Sequence, residues 1–277
     1  MHLVVQAPRL SDADAANLLR ETGARAFVRL SESALRIPDV SATERVARYC
    51  EARHFDHAFV PDGRRLDTVG LVAMDMDSTL ITIECIDEIA DLQGIKPQVA
   101  TITASAMRGE IDFAESLRRR VALLAGLDAV ALERVYTERL RISPGAEAML
   151  AAFKAVGAKS LLVSGGFTFF TDRLQVRLGL DRTVSNVLEI TDGKLTGRIV
   201  GRIVDAVVKA DAVREMRGWA GVEGKLVVGI GDGANDLPML AAADISVAYH
   251  AKPAVRARTT HQIDHCGLDA VVNLFIR

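Results

Sequence analysis

Two hydrophobic rhythms divide the chain. In residues 1–66 the apolar positions come in short bursts. They are Leu3-Val4-Val5, a helical spacing over Ser11 to Glu21, a strand-like Ala24 to Leu30, Ala34 to Ile37, a helical Ser41 to Ala52 with Ser41 as its N-cap, and Ala58-Phe59-Val60. The order is βαββαβ, which makes a four-stranded sheet with two helices on one face. Pro61-Asp62-Gly63-Arg64-Arg65 is turn-rich and charged, so a boundary between domains 1–66 and 67–277 is expected there.

From Val69 the rhythm changes to apolar strand, loop and amphipathic helix, repeated. That pattern predicts an α/β domain with a Rossmann-like parallel sheet covered on both faces, beside a ferredoxin-like N-terminal domain. The buried strands are read as Val69 to Met74, Ser160 to Val163, Leu226 to Ile230 and Ile245 to Ala248. Residues 144–156 read as a crossover helix, with Pro144 as its first residue and Gly157 as its stop. Asp192-Gly193 between apolar runs predicts a β-hairpin appended to the sheet. Residues 82–143 interrupt the alternation with four helical patterns, Cys85 to Leu92, Pro97 to Met107, Phe113 to Leu124 and Ala129 to Leu140. They predict a small helical cap inserted after the first parallel strand, at the carboxyl edge where such sheets place their ligands.

Composition narrows the classes of partner. The 34 Lys and Arg nearly balance the 36 Asp and Glu, so no strong field steers the chain to nucleic acid or an anionic membrane. A small-molecule ligand is the better expectation. No apolar run approaches the roughly 18 residues of a membrane span, and the N-terminal run is too short for a signal peptide's core. Cys50, Cys85 and Cys266 are far apart and odd in number, which predicts reduced thiols and a cytoplasmic protein.

Four elements carry chemistry. Asp75-Met76-Asp77-Ser78-Thr79 follows the first strand, and residues two apart on extended backbone face one side, so Asp75 and Asp77 can converge on one reacting group. Such close anions need a shared cation or a proton between them. Ser164-Gly165-Gly166, read as lying before a helix Phe167 to Leu178, offers a hydroxyl and backbone amides as a phosphate cradle; a plain strand-to-helix turn is the competing reading. Gly229-Ile230-Gly231-Asp232-Gly233-Ala234-Asn235-Asp236 approximates a dinucleotide fingerprint, but its two acids would stand against a pyrophosphate. With Asp75 they suit a hard cation such as Mg²⁺. Lys209, in a helix that Asp205 can cap, reads alone as a surface residue; its place in the same chain order gives it a phosphate to hold.

These motifs resemble those of the haloacid dehalogenase-like (HAD) superfamily over about residues 69–265. Glu84-Cys85-Ile86-Asp87-Glu88-Ile89-Ala90, Ala106 to Glu110 and Asp112 to Val121 are similar to the phosphoserine phosphatases within it. The resemblance implies Mg²⁺-dependent hydrolysis of O-phospho-L-serine through an aspartyl phosphate, the last step of serine biosynthesis. It implies Asp75 as nucleophile and metal ligand, Asp77 as general acid and base with its carbonyl on the metal, Asp232 as a further metal ligand and Asp236 as support. Ser164, Gly165 and Lys209 would hold the phosphate, with Asn235 close by. Glu84 and Arg120 would bind the substrate ammonium and carboxylate, and Met107 and Phe113 would wall the pocket. Helical spacing alone leaves Glu84 as a helix-start acid, Arg120 as a solvated arginine and the two apolar residues as cap core. Some bacterial relatives carry an N-terminal domain resembling ACT modules, compatible with residues 1–66. Another small-molecule phosphatase, transfer of the phosphoryl group to an acceptor such as homoserine, and an amino-acid-sensing scaffold are the rival functions. For the N-terminal domain the expectation is stability or homo-oligomer assembly.

Overall fold

Period-two alternation in the N-terminal segment has a two-sided consequence in the computed structural model, which describes residues 1–277. Strands β1 (His2–Gln6), β2 (Val28–Ser31), β3 (Ala34–Ile37) and β4 (Asp56–Val60) form an antiparallel sheet of order β2-β3-β1-β4, with α1 (Asp12–Thr22) and α2 (Glu44–Glu51) between them. Leu3, Val5, Leu35 and Ile37 turn toward Leu18, Val46 and Cys50 of the two helices. Val4, Ala58 and Val60 point the other way, into the main core of the molecule. The sheet is therefore covered on both faces. Asp56, buried at the seam, accepts hydrogen bonds from the N–H groups of Asp264, His265 and Cys266. Arg36 donates to the Asn273 and Phe275 carbonyls.

The larger sheet begins with β5 (Val69–Met74), all six residues of which are buried. The helices α3 (Cys85–Leu92), α4 (Lys96–Met107), α5 (Phe113–Ala122) and α6 (Val130–Arg134) follow as an insert, and α7 (Ala146–Ala155) returns to the sheet. Then come β6 (Lys159–Phe167), α8 (Thr168–Leu178), β7 (Arg182–Thr191), β8 (Lys194–Val200), α9 (Ala206–Arg217), β9 (Leu226–Gly231), α10 (Leu237–Ala241), β10 (Ile245–Tyr249), α11 (Pro253–Arg256) and β11 (His261–Ile263). The order is β11-β10-β9-β5-β6-β7-β8, parallel throughout except for the hairpin strand β8. Alternation again sorts side chains. Leu71, Ala73, Leu161 and Val227 meet α9 and α10 on one face, while Val72, Met74, Leu162 and Val228 meet α7, α8 and the C-terminal turns on the other. Burying both faces explains the near-continuous apolar strands.

The chain leaves β5 for the helical insert and returns by a narrow neck. Ile81 bridges Ile142, the Thr82 N–H bonds the Arg141 carbonyl, and the Ser143 N–H bonds Leu80. The insert also leans on the hairpin, through reciprocal backbone bonds of Gly126 and Leu127 with Leu195. No helix is long and apolar enough to cross a membrane. All three cysteines are free.

Several local expectations are corrected. The second strand starts at Val28, not Ala24. Helix α2 is capped by Thr43, whose hydroxyl accepts from the Val46 N–H, not by Ser41. Pro144 lies outside α7: Gly145, at φ +77°, makes the entry turn and the helix begins at Ala146. The last helical pattern of the insert, by contrast, holds as expected: α6 runs on into a wider π-helical turn over residues 135–139. Finally, Ser164-Gly165-Gly166 belongs to the extended end of β6, with Phe167 still in the strand and α8 beginning at Thr168.

Candidate active site

Strand β5 delivers the first acid. The Asp75 N–H still bonds the Ile230 carbonyl of β9 at 3.1 Å, so the residue is fixed by sheet pairing. The chain then makes a wide turn, with Leu80 N–H to Asp75 carbonyl at 3.3 Å and Ile81 N–H to Met76 carbonyl at 3.0 Å. Asp77 stays extended within it, and Ser78 takes a left-handed conformation at φ +56°. The Asp77 carboxylate accepts the Cys85 N–H at 3.1 Å, at the start of the first cap helix.

Between 130 and 161 residues after Asp75, other elements bring their groups to the same edge. Lys209 is 1% exposed, although helical position alone suggested a surface residue. Asp205 caps α9 through the Val207 and Val208 N–H groups and so sets the helix's start. The Lys209 ammonium donates to Asp75 and to Asp236, each at 2.7 Å. Asp236 is fully buried and its second oxygen accepts the Gly233 N–H at 3.0 Å. Asp232, on the loop after β9, accepts the Thr79 hydroxyl at 2.9 Å.

Carboxylate oxygens of Asp75, Asp232 and Asp236 lie within 4.8 Å of one another. Three carboxylates against one ammonium leave an excess of negative charge in a buried place, which is unstable without a proton or a cation. The titration directions record that strain. Burial, then the Asp236 charge, raises Asp75 well above the usual carboxylate range, and the same causes push Asp232 up to about 6. Burial alone pulls Lys209 down, but Asp236 and Asp75 more than offset it and the ammonium is held charged. An all-oxygen donor set with surplus negative charge fits a hard divalent cation.

Asp77 differs. Burial, followed by the charge of Glu84, pushes it up to about 7 despite the Cys85 N–H. It can therefore carry a proton near neutrality, while a neighbour in the same turn touches Lys209. Both carboxylates are raised, and what separates them is the ammonium, which pairs with Asp75 and not with Asp77; Asp75 is thus the one held for attack and Asp77 the one for proton transfer.

The cradle stands opposite. Ser164 is 1% exposed and its hydroxyl accepts the Gly166 N–H at 2.8 Å, keeping its own hydrogen for an anion. At Gly165 an added Cβ would come within 2.8 Å of the Phe113 ring, so the cap closes directly on the cradle. At Gly166 an added Cβ would come within 2.7 Å of the Met76 side chain and 3.0 Å of an Asp77 oxygen. Both glycines are small because core and cap crowd them.

In the cap, Glu84 accepts the Ser78 hydroxyl at 2.7 Å, and Arg120 has a buried Nε with no hydrogen-bond partner. Burial lowers the pKa of Arg120, and Asp87, Glu84 and Asp77 oppose that through charge without pairing with it. A half-buried guanidinium whose Nε is shut off from water without a partner is a place for an incoming carboxylate. Met107, at the end of α4, is 68% exposed and not packed as a wall. Asn235 lies in the turn after Gly233, its amide 3.5 Å from Asp236.

Sequence reasoning assigned nothing to Thr79 or Asn186. The first sits inside the acidic motif, and a hydroxyl two residues past a proton-transfer acid was a usable signal. Asn186 had none: its amide meets the Gly165 carbonyl only because of a backbone bulge that no local pattern reveals.

Carboxylates at the end of a parallel strand, facing a buried lysine and a hydroxyl cradle under an inserted cap, define a phosphoryl-transfer class. A family model for haloacid dehalogenase-like hydrolases matches residues 69–244, and the chain belongs to that family. Relatives that it resembles include phosphoserine phosphatases. One from Polaromonas is 54% identical over 215 residues, 76% of this chain and 91% of the relative. The unliganded structure of a probable phosphoserine phosphatase from Vibrio cholerae has a TM-score of 0.87 and 39% identity, covering 99% of this chain and 85% of the other. A phosphoserine phosphatase holding a phospho-aspartyl intermediate analogue has a TM-score of 0.69 and 34% identity, covering 75% of this chain and 99% of the other. Residues 3–57 match a domain of unknown function.

Proposed function

We propose that this chain is a phosphoric monoester hydrolase that converts O-phospho-L-serine to L-serine and phosphate through an aspartyl phosphate on Asp75. The observation that carries the reading is the pair Asp75 and Asp77: one touches Lys209 at 2.7 Å, and the other is pushed up to about 7. Asp75 attacks phosphorus, and the bond from phosphorus to the serine oxygen breaks as Asp77 gives that oxygen its proton. Asp77 then takes a proton from the water that releases phosphate. Lys209, the Ser164 hydroxyl and the Gly165 amide hold the phosphoryl oxygens, with Asn235 close by.

The acids Asp75 and Asp232, the Asp77 carbonyl and supporting Asp236 are the residues for Mg²⁺, which when bound supplies charge neutralisation at the transferring phosphoryl. In the cap, Arg120 binds the substrate carboxylate and Glu84 its ammonium, with Phe113 as the apolar wall. Free thiols fit a cytoplasmic enzyme.

The test is phosphate release from phosphoserine with Mg²⁺, before and after chelation by EDTA, in parent and Asp75→Asn. Turnover that requires Mg²⁺ and falls roughly 10⁴-fold or more in Asp75→Asn is expected. Parent activity on other phosphates but not on phosphoserine overturns the substrate. An added alcohol acceptor that collects the phosphoryl group overturns hydrolysis as the main reaction.

A further inference from the structure

The pairing of β6 with β7 is interrupted where the chemistry sits. Val163 pairs with Val184 and Phe167 with Asn186, so four steps along β6 oppose two along β7. Residues 164–166 are thereby pushed out of the ladder, and the Gly165 carbonyl loses its strand partner. Asn186 supplies one. Its side-chain amide, 1% exposed, donates to the Gly165 carbonyl at 2.8 Å and accepts the Val204 N–H at 2.8 Å. Exchanging the amide oxygen and nitrogen would set donor against donor and acceptor against acceptor, so the orientation is fixed by its partners.

Val204 immediately precedes Asp205, the N-cap of α9, and the Lys209 N–H bonds the Asp205 carbonyl at 3.0 Å. One buried side chain therefore ties the phosphate cradle to the start of the helix that delivers Lys209. We infer that Asn186 is a positioning residue for phosphoryl transfer: it fixes the distance between the Gly165 cradle and the Lys209 ammonium. This rests on the reading of that site as a phosphatase centre. Asn186 touches no substrate and acts only through these two backbone groups. Its effect belongs to the phosphate end of the site, since Glu84 and Arg120 lie on the cap.

Asn186→Asp retains the acceptor for the Val204 N–H but sets an oxygen against the Gly165 carbonyl; Asn186→Ala removes both bonds. The experiment compares each with the parent in thermal melting, kcat, and competitive inhibition by inorganic phosphate and by L-serine. For folded Asn186→Asp, a roughly 100-fold loss of kcat is expected, with weakened inhibition by phosphate and parental inhibition by serine. Two results overturn the inference. One is a folded Asn186→Asp enzyme with kcat within about twofold of the parent. The other is equal weakening toward phosphate and serine, the mark of general loosening. If Asn186→Ala does not fold, Asn186→Asp decides alone. If the parent hydrolyses p-nitrophenyl phosphate but not phosphoserine, the substrate reading falls, and Asn186 is judged by the same kcat and phosphate inhibition on that monoester.

Discussion

Arg120 shows how a residue's surroundings decide what its charge is for. It belongs to an arginine triplet on α5; Arg119 pairs with Glu115 at the surface, while the Arg120 Nε is buried and unpartnered. A half-buried cation with its Nε cut off from water costs free energy unless a ligand completes it. Arg120→Ala is therefore expected to raise KM for phosphoserine about 10- to 100-fold, the worth of a charge-assisted pair, with kcat near the parent. Hydrolysis of p-nitrophenyl phosphate, which has no carboxylate, should be nearly unchanged. Equal losses on both substrates would show that Arg120 supports the cap and not the carboxylate.

At the scale of elements, the site depends on how tightly a strand end meets the next turn. Gly231 closes β9, and a Cβ there would lie 2.7 to 2.8 Å from the Asp236 side chain. Asp236 is fully buried and cannot swing into solvent. In Gly231→Ala it is expected to move off Lys209, lowering kcat roughly 100-fold and stability by about 1–3 kcal/mol. Steady-state kinetics with thermal melting checks this; parental values in both would mean that the turn yields. The turn from Gly231 to Asp236 thus needs small residues for sterics as much as acids for chemistry.

At the scale of the molecule, the N-terminal sheet is a wall of the main core. Removing residues 1–66 takes away Val4, Ala58 and Val60 and opens the apolar cluster that includes Val271, Leu274 and Phe275. It also removes Asp56, which holds three consecutive backbone N–H groups. The truncated chain is expected to melt well below the parent and to aggregate on warming. An unchanged melting temperature and unchanged oligomeric mass would sink the role in stability or assembly. The same seam gives a pH dependence. His261 accepts from Arg64 at 2.6 Å, and burial, then the Arg64 charge, pushes it down to about 4. Because its folded pKa lies below the unfolded value of about 6.5, the unfolded chain binds more protons between those pH values. Stability from the neutral imidazole is complete above about 6.5 and lost as pH falls toward 4. His261→Gln should flatten that decline by up to about 3 kcal/mol in urea unfolding. An identical pH profile in parent and variant would remove His261 as the cause.

Apolar rhythm by itself determined the two sheets, their order of elements, the covered parallel strands, the appended hairpin and the helical insert after β5, because burial on one or both faces writes itself into local periodicity. Spacing alone put the acids of the first and last motifs at strand ends. Local signals misjudged turn entries such as Pro144 and the reach of β6, where backbone pairing outranks a residue's usual place. Lys209 reads as a surface residue until two distant carboxylates surround it, and Asn186 carries no local signal at all until a bulge removes the partner of Gly165. Those decisions belong to the tertiary structure: whether a polar side chain is solvated, paired or left waiting for a ligand depends on groups brought from far along the chain, and that is where its energy is set.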